Sequence, residues 1–242
     1  NTKESNTGSE GEAQLNNTVS QGSQGSQVDR VTNTKSSRAT NTESKMTVSR
    51  RQFTSEELVN QKLEQAKKAI DRENIVKAET LLEDALIIDP RQVQARKKLA
   101  ALWFGRQAWQ AATNLLSQGI AIDPNDADLR MMQAQIFIKH NEHQSALNAL
   151  LPLAMLERND YQHLISSIAQ QIEKFDVAIN AYLVLLKMQP DNARFALGLA
   201  IVYDKNSQFL HAAEQYKRSL LLGGLSSDSA RFVSQRIQAL GE

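Results

Sequence analysis

From Phe53 onward, apolar and small residues return every three or four positions, the spacing of one face of an α-helix and not the two-residue alternation of a strand. Thr54 stands before the first such run with Glu57 three residues later, a pattern that predicts a helix start closed by a capping box. Above the helical period lies a longer one. Small residues recur at Ala66, Ala100, Ala134, Ser166 and Ala200, with gaps of 34, 34, 32 and 34. A second small series, Ala78, Ala112, Ala146, Ala178 and Ala212, keeps the same gaps, and Leu82, Leu116, Leu150, Tyr182 and Tyr216 follow each member by four. Two antiparallel helices approach closely only where a small side chain faces the partner, and a bulky residue one turn away fills the adjacent hole. Each unit is therefore predicted to be helix A, a short turn and helix B. One such hairpin cannot bury both of its apolar faces, so five of them must stack into an all-α solenoid.

The ends and breaks of the units follow from Pro and Gly. Asp89-Pro90, Asp123-Pro124 and Gln189-Pro190 are predicted to open new helices, with Pro at the first helical position and the residue before it as cap. Pro152 is expected inside the third B helix, where it would remove a hydrogen bond and clash with the preceding turn. Together with the shortened 32-residue gap, this predicts a bend or step between repeats one to three and the rest. Gly223-Gly224 reads as a helix stop, and Ser226-Ser227-Asp228 as a fresh cap. Ala230, Val233, Ile237 and Leu240 then form one apolar stripe, so residues 227–240 are assigned as a capping helix that seals the open end.

Residues 1–52 have a different character. They are dominated by Asn, Thr, Ser, Gln and Gly, with few apolar side chains, and cannot offset the entropy of ordering. They are read as a disordered linker or tether, and residues 53–242 as the folded domain.

The 34-residue period, with Leu99-Ala100, Trp103, Ala112, Leu116 and Pro124 in the second unit and Gly198-Leu199-Ala200, Tyr203, Ala212 and Tyr216 in the fifth, resembles the tetratricopeptide repeat (TPR). The glycine usual in that family's A-to-B turn is replaced throughout, by Glu73, Gln107, Asn141, Glu173 and Ser207. The resemblance implies a right-handed solenoid whose A helices line a concave groove that binds peptides. On that basis Lys97, Phe104, Met131, Gln135, Ile138, His163, Leu197 and Ile201 are the candidate peptide-binding residues. Packing of the same side chains against the next repeat or the linker is the alternative. Family members that clamp the C-terminal carboxylates of a chaperone use Asn at the ninth A-helix position. Here that position holds Lys67, Ala101, Gln135, Ser167 and Ile201, so the clamp is not expected.

A narrower resemblance is carried by the run from Ala95 to Leu102 after an Asp-Pro turn, Tyr161-Gln162-His163-Leu164, Gly198-Leu199-Ala200-Ile201, and the closing Leu222-Gly223-Gly224-Leu225-Ser226 and Phe232–Ile237. Together these look like the MshN-type biogenesis proteins of the mannose-sensitive haemagglutinin (MSHA) type IV pilus of Gram-negative marine bacteria. That resemblance implies a scaffold at the periplasmic face of the inner membrane, held by an anchor upstream of Asn1, with other pilus-assembly or secretion-machine proteins as partners. A cytosolic adaptor or co-chaperone that binds peptide termini is the alternative.

Composition removes other classes. The 242 residues carry 28 Lys+Arg against 27 Asp+Glu, a net charge of +1, which gives no bulk attraction for nucleic acid or acidic lipid. The absence of Cys excludes disulfides, thiolate zinc sites and a cysteine nucleophile. No apolar run approaches the roughly 20 residues that span a bilayer, and no signal-peptide pattern is present. His140 and His143 could share a metal, but no third ligand is evident, and a solvated turn is expected. His163 is expected on the inner side of the fourth A helix, and His211 on the surface. With no phosphate loop and no nucleophile elbow, neither a cofactor nor enzymatic activity is expected.

Overall fold

The computed structural model describes residues 52–241, and the region assigned to a linker lies outside the described residues except for its last position. Among the described residues there are eleven α-helices, one short 3-10 helix and no strand. The helices pair as α1 (Ser55–Asp71) with α2 (Ile75–Ile88), α3 (Val93–Gly105) with α4 (Trp109–Ile122), and α5 (Ala127–Lys139) with α6 (His143–Leu150). They continue with α7 (Asn159–Gln171) against α8 (Phe175–Met188) and α9 (Ala193–Lys205) against α10 (Phe209–Leu222). Each pair stacks on the next, and α11 (Ser227–Ala239) closes the row against α10.

The first helix starts as the capping residues dictate. Thr54 Oγ1 accepts the Glu57 N–H at 3.1 Å, and the Thr54 N–H donates to Glu57 Oε2 at 3.0 Å. The repeated small residues are the inter-helix contacts: Ala66, Ala100, Ala134 and Ala200 are fully buried, as are Ala78, Ala112, Ala146, Ala178 and Ala212. Leu82, Leu116, Leu150 and Tyr216 are also sealed from solvent, and each buried Leu contributes roughly 1.5–3 kcal/mol.

The A-to-B turns form without glycine. Glu73, Gln107, Asn141, Glu173 and Ser207 all adopt the left-handed conformation, with φ between 57° and 69°. Each sits at the position after the C-cap, and the turn closes with the paired bonds of a Schellman motif. In the second unit the Ala108 N–H donates to Trp103 O at 2.9 Å and the Gln107 N–H to Phe104 O at 3.0 Å. The other four units repeat this pair at the equivalent atoms. Satisfied carbonyls at the helix end hold these residues in a conformation that L side chains disfavour.

Two expectations about the breaks change. Pro90, Pro124 and Pro190 do not open helices. They lie three residues ahead of α3, α5 and α9, in the turns that follow α2, α4 and α8. The residue before proline is pushed to an extended conformation, so Asp89, Asp123 and Gln189 end the preceding helices. The Asp89 and Asp123 carboxylates then each accept an N–H two residues on, at 3.0 Å. The N-caps are Gln92, Asp126 and Asn192.

Pro152 is not inside a helix either. The third B helix stops at Leu150, eight residues long against 14 for the other four, and Pro152 sits in the 3-10 turn Leu151–Leu153. The two-residue deletion and the proline are thus absorbed in a loop, which Gln162 ties down by donating from Nε2 to Ala154 O and Leu156 O, both at 2.8 Å.

The apolar core divides at α5. One apolar stretch runs from Val59 to Leu116 and takes in Leu129 and Ile136 of α5. A second begins with Ala134 of the same helix and reaches Val202, and a third joins Ala200, Ala212 and Tyr216 to Val233 of the capping helix. At the seam, Gln133 Nε2 donates to Thr113 O at 3.2 Å and Ser117 Oγ at 2.6 Å, a polar layer between α4 and α5.

Candidate functional site

The A helices α1, α3, α5, α7 and α9 present one face to their B partners, where the small residues are buried, and leave another face open. On α3 that open face holds Lys97, Ala101 and Phe104, of which Ala101 is exposed and the other two half-buried. On α5 it holds Met131 and Ile138, half-buried, and Gln135, exposed. His163 on α7 is exposed, while Leu197 and Ile201 on α9 are half-buried against the third core stretch.

The structure brings some candidate residues together and commits others elsewhere. Ala101 and Phe104 of α3 face Met132, Gln135, Ile136 and Lys139 of α5 across a cleft of about 290 Å³. Lys97 is held: its Nζ donates to Asp128 Oδ2 at 3.0 Å. Asp128 also accepts from Arg158 Nη1 at 2.6 Å, and Arg158 Nε reaches Asp160 Oδ1 at 2.7 Å, so one chain of charges links α3, α5 and the start of α7. The hydrogen bond from Arg158, supported by the one from Lys97, holds the Asp128 carboxyl below its usual range. His163 rests on the edge of Phe195 with ring centres 5.1 Å apart.

His140, expected in a solvated turn, is half-buried in an aromatic stack. Its ring lies over Trp109 at 4.5 Å with planes 24° apart, and Phe104 meets it edge-on at 5.9 Å. The stack spans two repeats and braces Phe104, which lines the cleft. His211 is exposed and lies 5.2 Å from the Tyr203 ring. Among the described residues there is no group of three or more metal-ligating side chains, and no helix long and apolar enough to cross a membrane.

A set of buried polar residues went unread in the sequence. Arg96 Nη1 donates to Leu115 O at 2.9 Å and Nη2 to Pro90 O at 2.8 Å, while Arg130 repeats this toward Ala149 O at 2.9 Å and Pro124 O at 3.0 Å. Each arginine thus bridges a B-helix carbonyl and the carbonyl of the proline in the turn between repeats. In the fourth unit Gln162 holds two loop carbonyls instead, and Arg218 donates to Pro190 O at 2.8 Å in the fifth. The signal that could have found the first two is their spacing, one repeat apart.

Two tetratricopeptide-repeat family models match residues 69–136 and 165–230, together more than half of the chain. Comparison with curated proteins gives no match. Among solved structures, MamA aligns with a TM-score of 0.53 at 18% identity, over 69% of this chain and 92% of that one. YrrB, described as a TPR protein with an unusual peptide-binding site, aligns with a TM-score of 0.52 at 13% identity, over 72% and 90%. At these identities the likeness establishes the fold alone. A structure of pilF from Pseudomonas aeruginosa aligns at 18% identity over 77% and 90%, with a TM-score of 0.48, too low to bear on function.

Proposed function

Because the chain belongs to the tetratricopeptide-repeat family, we propose that it is a non-enzymatic scaffold whose A-helix wall takes up a segment of a partner protein during assembly of an MSHA-like type IV pilus. The observation that carries the reading is the contrast between the two faces of the A helices. One face is sealed by small residues against the B helices, and the other leaves Phe104, Met131, Ile138, Leu197 and Ile201 partly uncovered in the second, third and fifth repeats. Half-buried apolar side chains on a rigid row of helices suit an amphipathic helix or an extended apolar peptide. Stacked repeats present such a surface already ordered, so binding costs little conformational entropy on the scaffold side.

The pilus setting is supported by the sequence resemblance described above, from the Asp-Pro turn and the run Ala95–Leu102 to the closing Gly-Gly stop and capping helix. In this setting the protein stands at the periplasmic face of the bacterial inner membrane, held by an anchor upstream of Asn1, with the Ser/Thr/Asn/Gln-rich leader as tether. Its partners are other pilus-assembly proteins.

The test is capture of inner-membrane pilus proteins by the full chain and by a Phe104→Ala/Ile138→Glu variant, with thermal melting to confirm that the variant folds. Loss of capture by a folded variant supports the groove, whereas undiminished capture removes it. Capture of proteins unrelated to the pilus keeps the scaffold but removes the pilus assignment.

A further inference from the structure

The cleft between α3 and α5 has a more specific chemistry than the wall as a whole. Its floor is Ile136, 4% exposed, with Met132 and Ala101 beside it and Phe104 as one side. One turn before Ala101 and Met132, the Lys97–Asp128 ion pair ties α3 to α5. Phe104 is braced edge-on by His140, which is itself stacked on Trp109. The two helices that form the cleft are therefore tied by contacts between repeats, and Gln135 and Lys139 on its lining are exposed. At about 290 Å³ the cleft falls just below the roughly 300–1,000 Å³ typical of small-molecule sites. It has room for one large apolar side chain.

The rim decides the sign of what accompanies that side chain. None of the six lining residues is acidic, and the Lys139 ammonium makes no hydrogen bond or ion pair among the described residues. Asp128, one turn before the cleft on α5, is already neutralised by Lys97 and Arg158. An ammonium group beside an apolar hole, with no internal counter-ion, is complementary to a carboxylate flanking an apolar side chain.

We infer that the α3–α5 cleft binds an acidic peptide segment, inserting one Leu- or Phe-sized side chain over Ile136 while a neighbouring Asp or Glu pairs with Lys139. The inference rests on the scaffold reading above and names the class of segment the scaffold takes. It needs no carboxy terminus, unlike the carboxylate clamp whose Asn is missing here, so an internal segment serves.

The experiment uses fluorescein-labelled nonapeptides with blocked ends: a central Leu flanked by three Glu, the same with three Lys, and the Glu series with a central Ser. Anisotropy is read against the full chain at low and moderate salt. The acidic Leu peptide is expected to bind and to outcompete both others. Lys139→Glu reverses the Glu-over-Lys preference, with a loss of about threefold to tenfold for the acidic peptide. Ala101→Met, at an exposed position, fills the cleft and removes binding of every series without loss of thermal stability. Equal binding of the acidic and basic series, or indifference to both variants, overturns the inference. Binding that ignores Lys139→Glu and Ala101→Met but is lost in Leu197→Glu/Ile201→Glu also overturns it, while leaving a groove elsewhere on the wall. Absence of peptide binding, beside intact partner capture by the same preparation, overturns the cleft but not the scaffold.

Discussion

Arg236 of the capping helix grips Asp204 of α9 with both arms of its guanidinium, Nε to Oδ2 at 2.5 Å and Nη2 to Oδ1 at 2.7 Å. Tyr216 adds its hydroxyl to Oδ2 at 3.1 Å. A bidentate fork fixes orientation as well as distance, so this pair sets how α11 lies over the last hairpin, with Val233 as the buried apolar anchor. Asp204 occupies the wall position that Phe104 and Ile138 hold in earlier repeats, and α11 has claimed it.

This pair predicts acid-sensitive docking of α11. The Arg236 hydrogen bonds hold the Asp204 carboxyl below its usual range. A lowered folded value means that the contribution is fully present above the unfolded carboxylate pKa of roughly 3.9 and lost as pH falls through the folded value. Asp128 is lowered as well, so its link between α3 and α7 weakens in the same window. Amide exchange resolves the two, because Arg236→Ala should speed exchange in α11 roughly tenfold at neutral pH while leaving α5 unchanged. Below the folded pKa of Asp204, wild type and variant should exchange α11 at the same rate.

The left-handed turn residues predict stabilising mutations. A non-glycine residue in that conformation carries a steric cost that glycine avoids, partly offset by the greater entropy glycine loses on folding. Gln107→Gly should therefore raise stability by about 0.5–1 kcal/mol in urea denaturation. Asn141→Gly should gain less, because Asn tolerates positive φ. Gln107→Val should lose stability, since a β-branched residue fits there worst.

Gly198 is required by its neighbour. A Cβ built there would lie 2.4 Å from Cε1 of Tyr182, whose ring covers α9. Gly198→Ala is expected to cost roughly 1–3 kcal/mol by overpacking. Tyr182→Leu in that background should recover most of the loss, because Leu116 fills the equivalent place two repeats earlier, where Met132 stands in the position of Gly198. Thermal melts of the two single variants and the double variant measure the coupling.

Arg96→Met should leave Pro90 O without its donor and remove the bond Arg96 adds to Leu115 O beyond the helix's own, at a cost of roughly 1–3 kcal/mol. Arg96→Lys should recover only part of this, since one ammonium cannot span two carbonyls on opposite sides of the guanidinium. Gly119→Ala is expected to behave like a milder Arg96 variant, because its Cβ would fall 2.4 Å from Arg96 Cδ. Chemical denaturation of the three variants orders them.

Much of the architecture was legible along the chain because stacked hairpins use nearest-neighbour contacts. The alanine series, the capping box at Thr54 and the five turn positions are set by residues a few places apart, and a fixed period repeats them. The sequence by itself therefore determined the hairpins, their number and the sealing helix. It misplaced the prolines, since Asp-Pro can either cap a helix or end one, and only the flanking backbone selects between them.

What the tertiary structure decided is which side chains meet across repeats. The Trp109–His140 stack, the Lys97–Asp128–Arg158 chain, the Arg236–Asp204 fork and the fit of Tyr182 over Gly198 join residues 16 to 32 positions apart. Periodicity places such residues on the same level of the stack but says nothing of rotamer or partner. That choice rests on competition among neighbouring side chains for the same space and the same hydrogen bonds, which exists only once the helices are packed.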